Sequence, residues 1–386
     1  MFSSTLPIQF LLGRSETMKI RWNDFPHVYE MQQFSAEDME AIIGHTLAME
    51  DAMAALKSLP RLSQPHPWNV RLLFYEPSTR TEMTFIDAAL ALGCNFHAVK
   101  DPKTFSSAIK GESSFAAVAA YGCTGGMGYL RQSDMLIIRH NEDNATRRAA
   151  EIINAALDDK EPRLSLAAIN AGDSKNQHPT QALVDLATIF KERQNGSHPL
   201  DDLTVLFPGD LQRSRVINSL LYSFGKFGHD HHISVIFCCP KGFGPKVEIL
   251  EYLARHHVAF EFRFKKNDFV GSLPEADVVY MNRLQRERVK IGEKKIRRKR
   301  RRAYVFWADY LRYLKDGAFV MHPLPINEDP ADPPPEIDPK LMPLAHTNDL
   351  RCAWFRQSHR GKPMRTALLD IIFAAMDEEM TAIKAI

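Results

Sequence analysis

Four consecutive polar residues, Ser78, Thr79, Arg80 and Thr81, form the segment of the chain best suited to hold an anion. They follow an apolar strand-like run, and Pro77 turns the chain before a helical pattern that begins at about Thr81. Hydroxyl groups, backbone amides and a guanidinium at a helix start are the donors that an oxyanion with several acceptor oxygens needs. The segment therefore predicts a site for a phosphate-like anion. Taken alone, a Ser/Thr-rich helix cap beside an exposed arginine explains it equally well.

Short β-rich runs alternate with helical patterns from residue 70 onward, which is typical of parallel sheets covered by helices on both faces. The predicted buried strands are Val70–Tyr75, Met135–Arg139, Leu164–Asn170, Leu203–Phe207, Ile233–Cys238, Val258–Phe264, Val278–Tyr280 and Ala318–Met321. The helix Arg213–Phe227 has an apolar face made of Val216, Ile217, Leu220, Leu221, Phe224 and Phe227. The helix after Arg80 is predicted to turn inward Phe85, Ile86, Ala89 and Leu90. Ligands of such sheets bind where strand ends meet helix starts.

The pattern predicts an α/β protein with two domains, each built on a parallel sheet flanked by helices. The first domain is predicted to span 1–177 and the second 195–350, with a long helix over 178–194 between them. An amphipathic helix near the end of the chain, within 363–386, is predicted to return to the first domain. Long helices therefore link the two predicted domains.

The chain before residue 70 has a helical pattern, with Ser35 as the predicted N-cap and Asp38 at the third helical position. The short apolar stretch Leu6–Leu12 lacks a charged leader and a cleavage site, so no secretory signal is predicted. Met18 is an alternative start to Met1. No apolar run reaches the length that spans a bilayer, and we expect a soluble, cytoplasmic protein.

Composition excludes several classes of protein. The 386 residues are 45% hydrophobic and 25% charged, which is ordinary for a globular chain and argues against disorder. The net charge of +2 includes a basic run, Lys294–Arg302, in which eight of nine residues are Lys or Arg. The rest of the chain is therefore net acidic, and no nucleic-acid-binding body is expected. The five cysteines form no C-x-x-C pair, which argues against a disulfide framework or a structural metal site.

Six further motifs follow the Ser-Thr-Arg-Thr segment in order. They are Ser106-Ser107-Ala108-Ile109-Lys110-Gly111-Glu112-Ser113, Ile138-Arg139-His140, His178-Pro179-Thr180-Gln181-Ala182-Leu183-Val184-Asp185, Gly209-Asp210-Leu211 with Arg215, Arg283-Leu284-Gln285-Arg286-Glu287-Arg288, and His322-Pro323-Leu324-Pro325. This ordered set resembles the motifs of the aspartate/ornithine carbamoyltransferase family, and the match runs over roughly residues 70 to 375. A chance agreement of seven separated motifs in one order is very improbable.

The resemblance implies the carbamoyltransferase fold, in which an N-terminal domain binds carbamoyl phosphate and a C-terminal domain binds the amine substrate. It implies that Ser78, Thr79, Arg80 and Thr81 hold the phosphate, with Arg80 also polarising the leaving oxygen. The other implied contacts to carbamoyl phosphate are Arg139 and His178 at the carbonyl oxygen, Gln181 and the Leu324 carbonyl at the NH2 group, and Ser106 and Lys110. The implied catalytic residues are Arg80, Thr81, Lys110, Arg139 and His178.

The late motif favours aspartate over ornithine as the amine substrate. Pro323 follows His322, as in the aspartate enzymes of the family, whereas the ornithine enzymes typically have Cys there. The implied aspartate-binding residues are Arg215, Arg283, Gln285, Leu324 and Pro325, and their cations suit a dicarboxylic substrate. The resemblance thus implies synthesis of N-carbamoyl-L-aspartate for pyrimidine biosynthesis, with neither a metal nor an organic cofactor.

The resemblance also implies a homotrimer with shared active sites, because Ser106 and Lys110 would reach the site of the adjacent subunit. It leaves open whether such trimers join regulatory or dihydroorotase chains. The expected partners are therefore the two small substrates and further copies of the chain, with no membrane and no nucleic acid.

Several of these residues have plainer explanations when each is taken alone. His178 is an ordinary helix cap on local pattern, and Lys110 is an ordinary loop lysine. Arg283 and Arg288 lie near Glu287 and would form surface ion pairs that contribute little to stability. Their joint occurrence in one order is what favours the functional interpretation.

Two features depart from the family pattern. Ile326 stands where the aspartate enzymes carry Arg, which removes one cation beside the aspartate site. The basic run Lys294–Arg302 falls where the family has a loop that closes over this site. Three explanations compete for the run: a solvated segment, attraction of the anionic substrates, and binding of RNA or an acidic partner. A carbamoyltransferase for another amine and an impaired paralogue that acts as a scaffold are the alternative functions.

Overall fold

The computed structural model describes residues 20–55, 68–100, 133–156, 166–193, 197–265, 267–283, 301–327, 334–346 and 349–384. The chain forms two compact units. Unit 1 consists of Met1–Leu183 and Arg360–Ile386, and unit 2 consists of Val184–His359. Among the described helices, none is both long enough and apolar enough to cross a lipid bilayer.

Unit 1 is built on a parallel sheet of four strands in the order β2-β1-β3-β4. The strands are β1 (Asn69–Phe74), β2 (Asn95–Lys100), β3 (Met135–His140) and β4 (Ala167–Asp173). The helices are α1 (Ala36–Ala54), α2 (Thr79–Ala91), α3 (Ala145–Ala156), the start of α4 (Pro179–Glu192) and α10 (Gly361–Lys384). Strands β3 and β4 are buried along their whole length, which is typical of a parallel sheet covered on both faces.

Strand β2 is the one described strand for which no prediction was made from the sequence. Its sequence, Asn95 to Lys100, has polar residues beside Phe96 and shows no continuous apolar run. It pairs with β1 and lies at the edge of the sheet. Because an edge strand is only partly covered, Phe96 is 39% exposed and apolar side chains are not required along the strand.

Helices α1 and α10 pack together in unit 1, and α10 also packs on α2. The predicted capping box at the start of α1 is confirmed, since Ser35 Oγ accepts the Asp38 N–H and the Asp38 carboxylate accepts the Ser35 N–H. Five large apolar residues of α10 are buried: Leu368, Leu369, Ile372, Phe373 and Met376. The Phe373 ring stacks on Trp68 with 5.0 Å between ring centroids.

Unit 2 is built on a second parallel sheet, of five strands in the order β7-β6-β5-β8-β9. The strands are β5 (Thr204–Pro208), β6 (Ser234–Cys238), β7 (Ala259–Arg263), β8 (Val278–Tyr280) and β9 (Phe319–Met321). Besides the rest of α4, the helices are α5 (Arg215–His231), α6 (Val247–Arg255), α7 (Asp268–Ser272), α8 (Met342–His346) and α9 (Trp354–His359). The predicted α/β class with two helix-flanked parallel sheets is therefore confirmed.

The predicted apolar face of α5 is confirmed, because Val216, Ile217, Leu220, Leu221, Phe224 and Phe227 are all buried. Fully burying one side chain of this size contributes about 1.5–3 kcal/mol. The prediction of a buried strand at Val258–Phe264 was wrong in part. β7 is an edge strand whose residues are exposed or half-buried, since β6 is the one strand among the described residues that pairs with it.

The inward face predicted for α2 was also partly wrong. Phe85 and Ala89 are buried as predicted, but Ile86 is half-buried and Leu90 is 56% exposed, while Ala88 is buried instead. The strands and α10 cover one narrow face of α2, and apolar spacing alone did not show where that face ends.

Candidate active site

The carboxyl ends of three adjacent strands in unit 1 carry the residues that were predicted to bind carbamoyl phosphate. β1, β3 and β4 are neighbours in the sheet and run parallel. β1 leads into Ser78–Thr81, Arg139 lies near the end of β3, and β4 leads through a turn to His178. Residues far apart in the chain therefore meet at one edge of the sheet, where parallel sheets bind ligands.

The Ser-Thr-Arg-Thr segment forms the start of α2, two residues earlier than predicted. Ser78 is the N-cap residue, and Thr79 is the first helical residue. Ser78 Oγ donates to Thr81 Oγ1 at 3.0 Å and makes no capping bond to a backbone N–H of the described helix. The plain helix-cap explanation thus fails for the Ser78 side chain. The first-turn amides and the positive end of the helix dipole remain available to an anion.

Exposure along this segment suits a ligand site. Thr79 and Arg80 are exposed, Ser78 is half-buried and Thr81 is buried. Although Arg80 as a residue is exposed, its guanidinium is partly desolvated, and this lowers the pKa of Arg80 below its ordinary value. The guanidinium still carries its charge near neutral pH, because an arginine pKa starts so far above that range.

Arg139 is a buried cation held at the end of β3. Its Nη1 atom donates to the Ala171 carbonyl at 3.0 Å, and its Nη2 atom lies 3.8 Å from Glu76 Oε2. Its own carbonyl accepts the Tyr75 N–H at 2.8 Å. These contacts tie Arg139 to β4 on one side and to the loop after β1 on the other. The guanidinium is therefore placed before any substrate arrives, which is what electrostatic catalysis requires.

His178 and Gln181 stand at the start of α4. His178 is buried, with its Nδ1 atom 3.4 Å from Thr180 Oγ1, and Gln181 is half-buried in the first turn. The turn before them is organised by Asp173, whose carboxylate accepts the Gln177 N–H at 2.9 Å and the Asn144 N–H at 2.8 Å. Burial raises the pKa of Asp173, and these hydrogen bonds oppose the rise.

Unit 2 has a similar arrangement of the residues that were predicted to bind aspartate. β5, β8 and β9 are adjacent in its sheet. The loop after β5 leads to Arg215, β8 leads to Arg283, and β9 leads to Leu324 and Pro325. Gly209, directly after β5, has a φ of +99°, a left-handed conformation that glycine adopts without a steric cost. This residue lets the chain turn sharply from β5 toward α5.

Arg215 is the first residue of α5 and is only 3% exposed. The N-cap residue Ser214 accepts the Ile217 N–H at 3.3 Å and donates to Asn282 Oδ1 at 3.2 Å. Asn282 directly precedes Arg283, which is half-buried. A hydrogen bond thus connects the residues next to both predicted aspartate-binding arginines.

The loop after β9 has an unusual backbone. Leu324 has a φ of +51°, and its N–H donates to His322 Nδ1 at 2.8 Å. The Leu324–Pro325 peptide bond is cis, and Pro325 is exposed. Ile326 is half-buried and packs against the apolar core of unit 2, which includes Val320. An aliphatic contact therefore stands where the family pattern has a cation.

Some predicted residues lie outside the described part of the chain. These are Ser106, Lys110, Gln285 and the basic run up to residue 300. The last two residues of the run are described and differ from each other. Arg301 is only 6% exposed, whereas Arg302 is exposed with its guanidinium 5.8 Å from the Trp307 ring centroid. The solvated-segment explanation is therefore wrong for Arg301.

Three supporting residues were missed in the sequence. Ser214 directly precedes an amphipathic helix, so the ordinary N-cap signal was sufficient to find it. Glu76 and Asn282 both follow strand ends, the positions where ligand-binding residues of parallel sheets concentrate. Their partners are far away in the chain, and spacing alone did not reveal them.

Comparison with known proteins agrees with this geometry. The family model "Aspartate/ornithine carbamoyltransferase, carbamoyl-P binding domain" matches residues 26–191, and the model of the Asp/Orn binding domain matches residues 201–372. Aspartate carbamoyltransferase 1, chloroplastic, of Pisum sativum is 35% identical over 347 residues, covering 89% of this chain and 78% of the relative. This chain belongs to the aspartate/ornithine carbamoyltransferase family.

Other members of the family are similar over nearly their whole length. The aspartate carbamoyltransferase catalytic subunit of Halorubrum lacusprofundi is 34% identical over 357 residues, covering 92% of this carbamoyltransferase and 97% of the relative. The crystal structure of aspartate transcarbamoylase from Trypanosoma cruzi in complex with carbamoyl phosphate has a TM-score of 0.73 at 26% identity, covering 94% and 98% of the two chains. The catalytic subunit of M. jannaschii aspartate transcarbamoylase has a TM-score of 0.70 at 28% identity, covering 90% and 98%.

Proposed function

We propose that this carbamoyltransferase transfers the carbamoyl group of carbamoyl phosphate to the amino group of L-aspartate. The products are N-carbamoyl-L-aspartate and phosphate, and the reaction serves pyrimidine biosynthesis. The observation that carries the proposal is the placing of Ser78–Thr81, Arg139 and His178 at three adjacent strand ends of unit 1. These positions lie within the match to the carbamoyl-P binding domain, and the relatives at 34% and 35% identity are aspartate carbamoyltransferases.

The residues of unit 1 suit the charge changes of the reaction. As the amine attacks the carbonyl carbon, a C–N bond forms and the C–O bond to phosphate breaks. The proton that the amine loses passes to the leaving phosphate. Negative charge grows on the carbonyl oxygen, where Arg139 and His178 donate hydrogen bonds, and on the leaving phosphate, which Arg80 and the start of α2 bind. Interactions that strengthen as this charge develops accelerate the step.

The residues of unit 2 suit an acceptor with two carboxylates. Arg215 and Arg283 follow the adjacent strands β5 and β8, and Gln285 adds an amide donor in the proposed site. Guanidinium groups bind carboxylates through paired hydrogen bonds. By resemblance to the family, we also assign the Leu324 carbonyl to binding of the NH2 group of carbamoyl phosphate and Pro325 to binding of the amine substrate. A cationic acceptor such as ornithine lacks the second carboxylate that this set of cations binds.

One assay tests the proposal directly. The purified full chain is incubated with carbamoyl phosphate and either L-aspartate or L-ornithine, and the carbamoylated amine and phosphate are quantified. We expect equal amounts of N-carbamoyl-L-aspartate and phosphate with aspartate, and no product with ornithine. Product from ornithine alone would overturn the acceptor assignment. Turnover of neither amine, with carbamoyl phosphate still bound, would favour the scaffold alternative.

We also propose that the active enzyme is a homotrimer that shares its sites between subunits, with Ser106 and Lys110 supplied by the neighbour. An exposed apolar stripe on α2 supports an interface there. Met83 and Leu90 are 57% and 56% exposed, and a spacing of seven residues places them on one side of the helix. Large exposed apolar groups in such a row are typical of surfaces that another chain covers.

Mixing inactive variants tests whether sites are shared. Arg80→Ala and Lys110→Ala chains, each purified alone, are expected to lose about 10²- to 10³-fold of the wild-type activity. The two variants are then denatured, mixed and refolded together. Some sites in the mixed trimers combine an intact Arg80 from one chain with an intact Lys110 from its neighbour, and these sites are expected to regain activity. Light scattering measures the mass of the wild type. A monomer, or complete absence of recovery in properly folded mixtures, would contradict the shared site.

We further propose a cytoplasmic location. Cys94, Cys238, Cys239 and Cys352 are buried free thiols, which fits a compartment that keeps cysteines reduced. Fractionation of the source cells, with the protein followed by antibody, is expected to place it with soluble cytoplasmic enzymes. Recovery in a plastid fraction would overturn this placement.

A further inference from the structure

A continuous series of hydrogen bonds crosses the interior of unit 2 from α4 to the loop that contains Leu324. Asp185 Oδ1 accepts from Gln357 Nε2 at 2.7 Å, and Gln357 Oε1 accepts the His322 N–H at 2.8 Å. His322 Nδ1 then accepts the Leu324 N–H at 2.8 Å. The other carboxylate oxygen of Asp185 accepts from the Tyr280 hydroxyl at 2.6 Å. Because Asp185, Tyr280, His322 and Gln357 are all fully buried, no water competes for these groups.

The direction of each bond fixes the orientation of the next group. An ionised Asp185 only accepts hydrogen bonds. The Gln357 side chain must therefore turn its NH2 group toward Asp185 and its oxygen toward His322. The backbone N–H of His322 requires that oxygen, since an unpaired buried amide is costly. His322 in turn keeps its Nδ1 lone pair for Leu324. The orientation of the Gln357 amide is thus set by a charge on a different helix.

The loop at the end of this series needs support. Leu324 adopts a φ of +51°, a left-handed conformation that residues with a side chain rarely adopt unless their surroundings impose it. Its N–H bond to His322 is one such constraint. Rotation of the Leu324 backbone would turn its carbonyl away from the position that the proposed function assigns to it.

We propose that Asp185 and Gln357 are positioning residues for carbamoyl transfer, which hold the Leu324 backbone in the conformation needed for its proposed contact with carbamoyl phosphate. The inference rests on the proposed function, because it assigns that contact to Leu324. Burial, together with the charge of Asp185, raises the pKa of Tyr280 well above its ordinary value. The hydroxyl therefore remains a donor throughout the working pH range and keeps the Asp185 carboxylate in place.

A reversed pair of side chains provides the test. In Gln357→Glu, two carboxylates face each other and the series is broken. In the double variant Asp185→Asn/Gln357→Glu, the amide and the acid exchange positions. The amide introduced on α4 can then donate to the carboxylate introduced on α9, and that carboxylate can still accept the His322 N–H. Thr188→Val serves as a matched control, because Thr188 is buried on the same helix as Asp185 and its hydroxyl bonds only the local Val184 carbonyl in the described contacts.

Three quantities are measured for each variant, well below its Tm: kcat for carbamoyl transfer, Kd for inorganic phosphate, and Kd for phosphonoacetamide. The last compound is a stable analogue of carbamoyl phosphate that keeps the NH2 group. We expect Gln357→Glu to lower kcat by about 10- to 100-fold, since small misplacements of positioning groups cost that much. It should also remove the preference for phosphonoacetamide over phosphate, while leaving the Kd for phosphate within about two-fold of the wild type.

The reversed pair should recover most of the lost kcat and the preference for phosphonoacetamide, and Thr188→Val should change neither. The inference is overturned if Gln357→Glu changes kcat and the preference no more than Thr188→Val does. It is also overturned if phosphate affinity falls in parallel, because that result indicates general loss of structure. A wild type that does not carbamoylate aspartate would count against the proposed function. The ratio of the Kd for phosphonoacetamide to the Kd for phosphate can still be measured in that case, because it needs no turnover, and it tests the role of Leu324 separately.

Discussion

The Ser214 hydroxyl donates a hydrogen bond to Asn282 Oδ1, 3.2 Å away, and the Ser214 oxygen also accepts the Ile217 N–H. This one side chain therefore caps α5 and joins the start of that helix to the end of β8. Arg215 follows Ser214 directly, and Arg283 follows Asn282. The backbones of the two arginines are thus coupled through a buried contact between residues that are 68 positions apart in the sequence.

Loss of that contact is expected to affect both stability and aspartate binding. Ser214→Ala removes an N-cap and leaves Asn282 without its donor, which should lower the free energy of unfolding by about 1–2 kcal/mol. It should also raise the KM for aspartate several-fold while changing the KM for carbamoyl phosphate little. Urea unfolding and steady-state kinetics measure these effects. Ser223→Ala is the control on the same helix, because its hydroxyl bonds the Ser219 carbonyl, and an equal change in KM there would contradict the prediction.

Arg80 is expected to contribute mainly to the chemical step. Arg80→Ala removes a cation from the start of α2, where the leaving phosphate gains charge. We expect kcat to fall by about 10²- to 10³-fold, the usual cost of losing one preorganised donor. Arg148→Ala is a suitable control, since Arg148 is an exposed cation of unit 1 paired with Glu142. A fall in kcat of similar size in both variants would show that general charge, not position, is responsible.

Substitution of Ile326 tests the importance of the arginine that the family pattern has at this position. Ile326→Arg adds a guanidinium to the loop after β9 and removes aliphatic packing against the core of unit 2. We expect a lower KM for aspartate, together with a loss of about 1 kcal/mol of stability. Ile326→Met keeps the packing without the charge and should change neither value appreciably. An unchanged or higher KM for aspartate in Ile326→Arg would mean that position 326 does not contribute to binding of the amine.

The buried thiols predict how stability depends on pH. Burial raises the pKa of the Cys238 thiol to about 11 and that of Cys239 to about 12, compared with 9.0 for an ordinary thiol. Unfolded chains therefore ionise these groups first as the pH rises. Their stabilising contribution is fully present below about pH 9 and is lost as the pH approaches the folded-state values.

Urea unfolding at about pH 8 and about pH 10.5 checks this dependence. We expect the free energy of unfolding of the wild type to fall between these values, and that of Cys239→Ala to fall less, because one buried thiol is missing. Cys123 lies outside the described residues and is not part of the prediction. The same decrease in both proteins would show that tyrosine and lysine ionisation dominates.

Local sequence patterns were sufficient to predict the elements that are almost completely buried. The six apolar residues of α5 and the capping box of Ser35 and Asp38 were predicted correctly, because periodicity and capping depend on neighbours in the chain. Strands at the edge of a sheet were harder to predict. β2 was missed and β7 was predicted as buried, since a strand that pairs on one side is not restricted to apolar residues.

The sequence by itself determined the α/β class, the order of the motifs and the family, because these follow from periodicity and from residue types at fixed spacings. Only the tertiary structure decided which strands are neighbours, and thereby which motifs share an edge. It also decided the hydrogen bonds of Ser214 with Asn282 and of Asp185 with Gln357, and the burial of Ile326 against the core. Contacts between residues that are far apart in the chain depend on how the elements pack, and no local pattern encodes that packing.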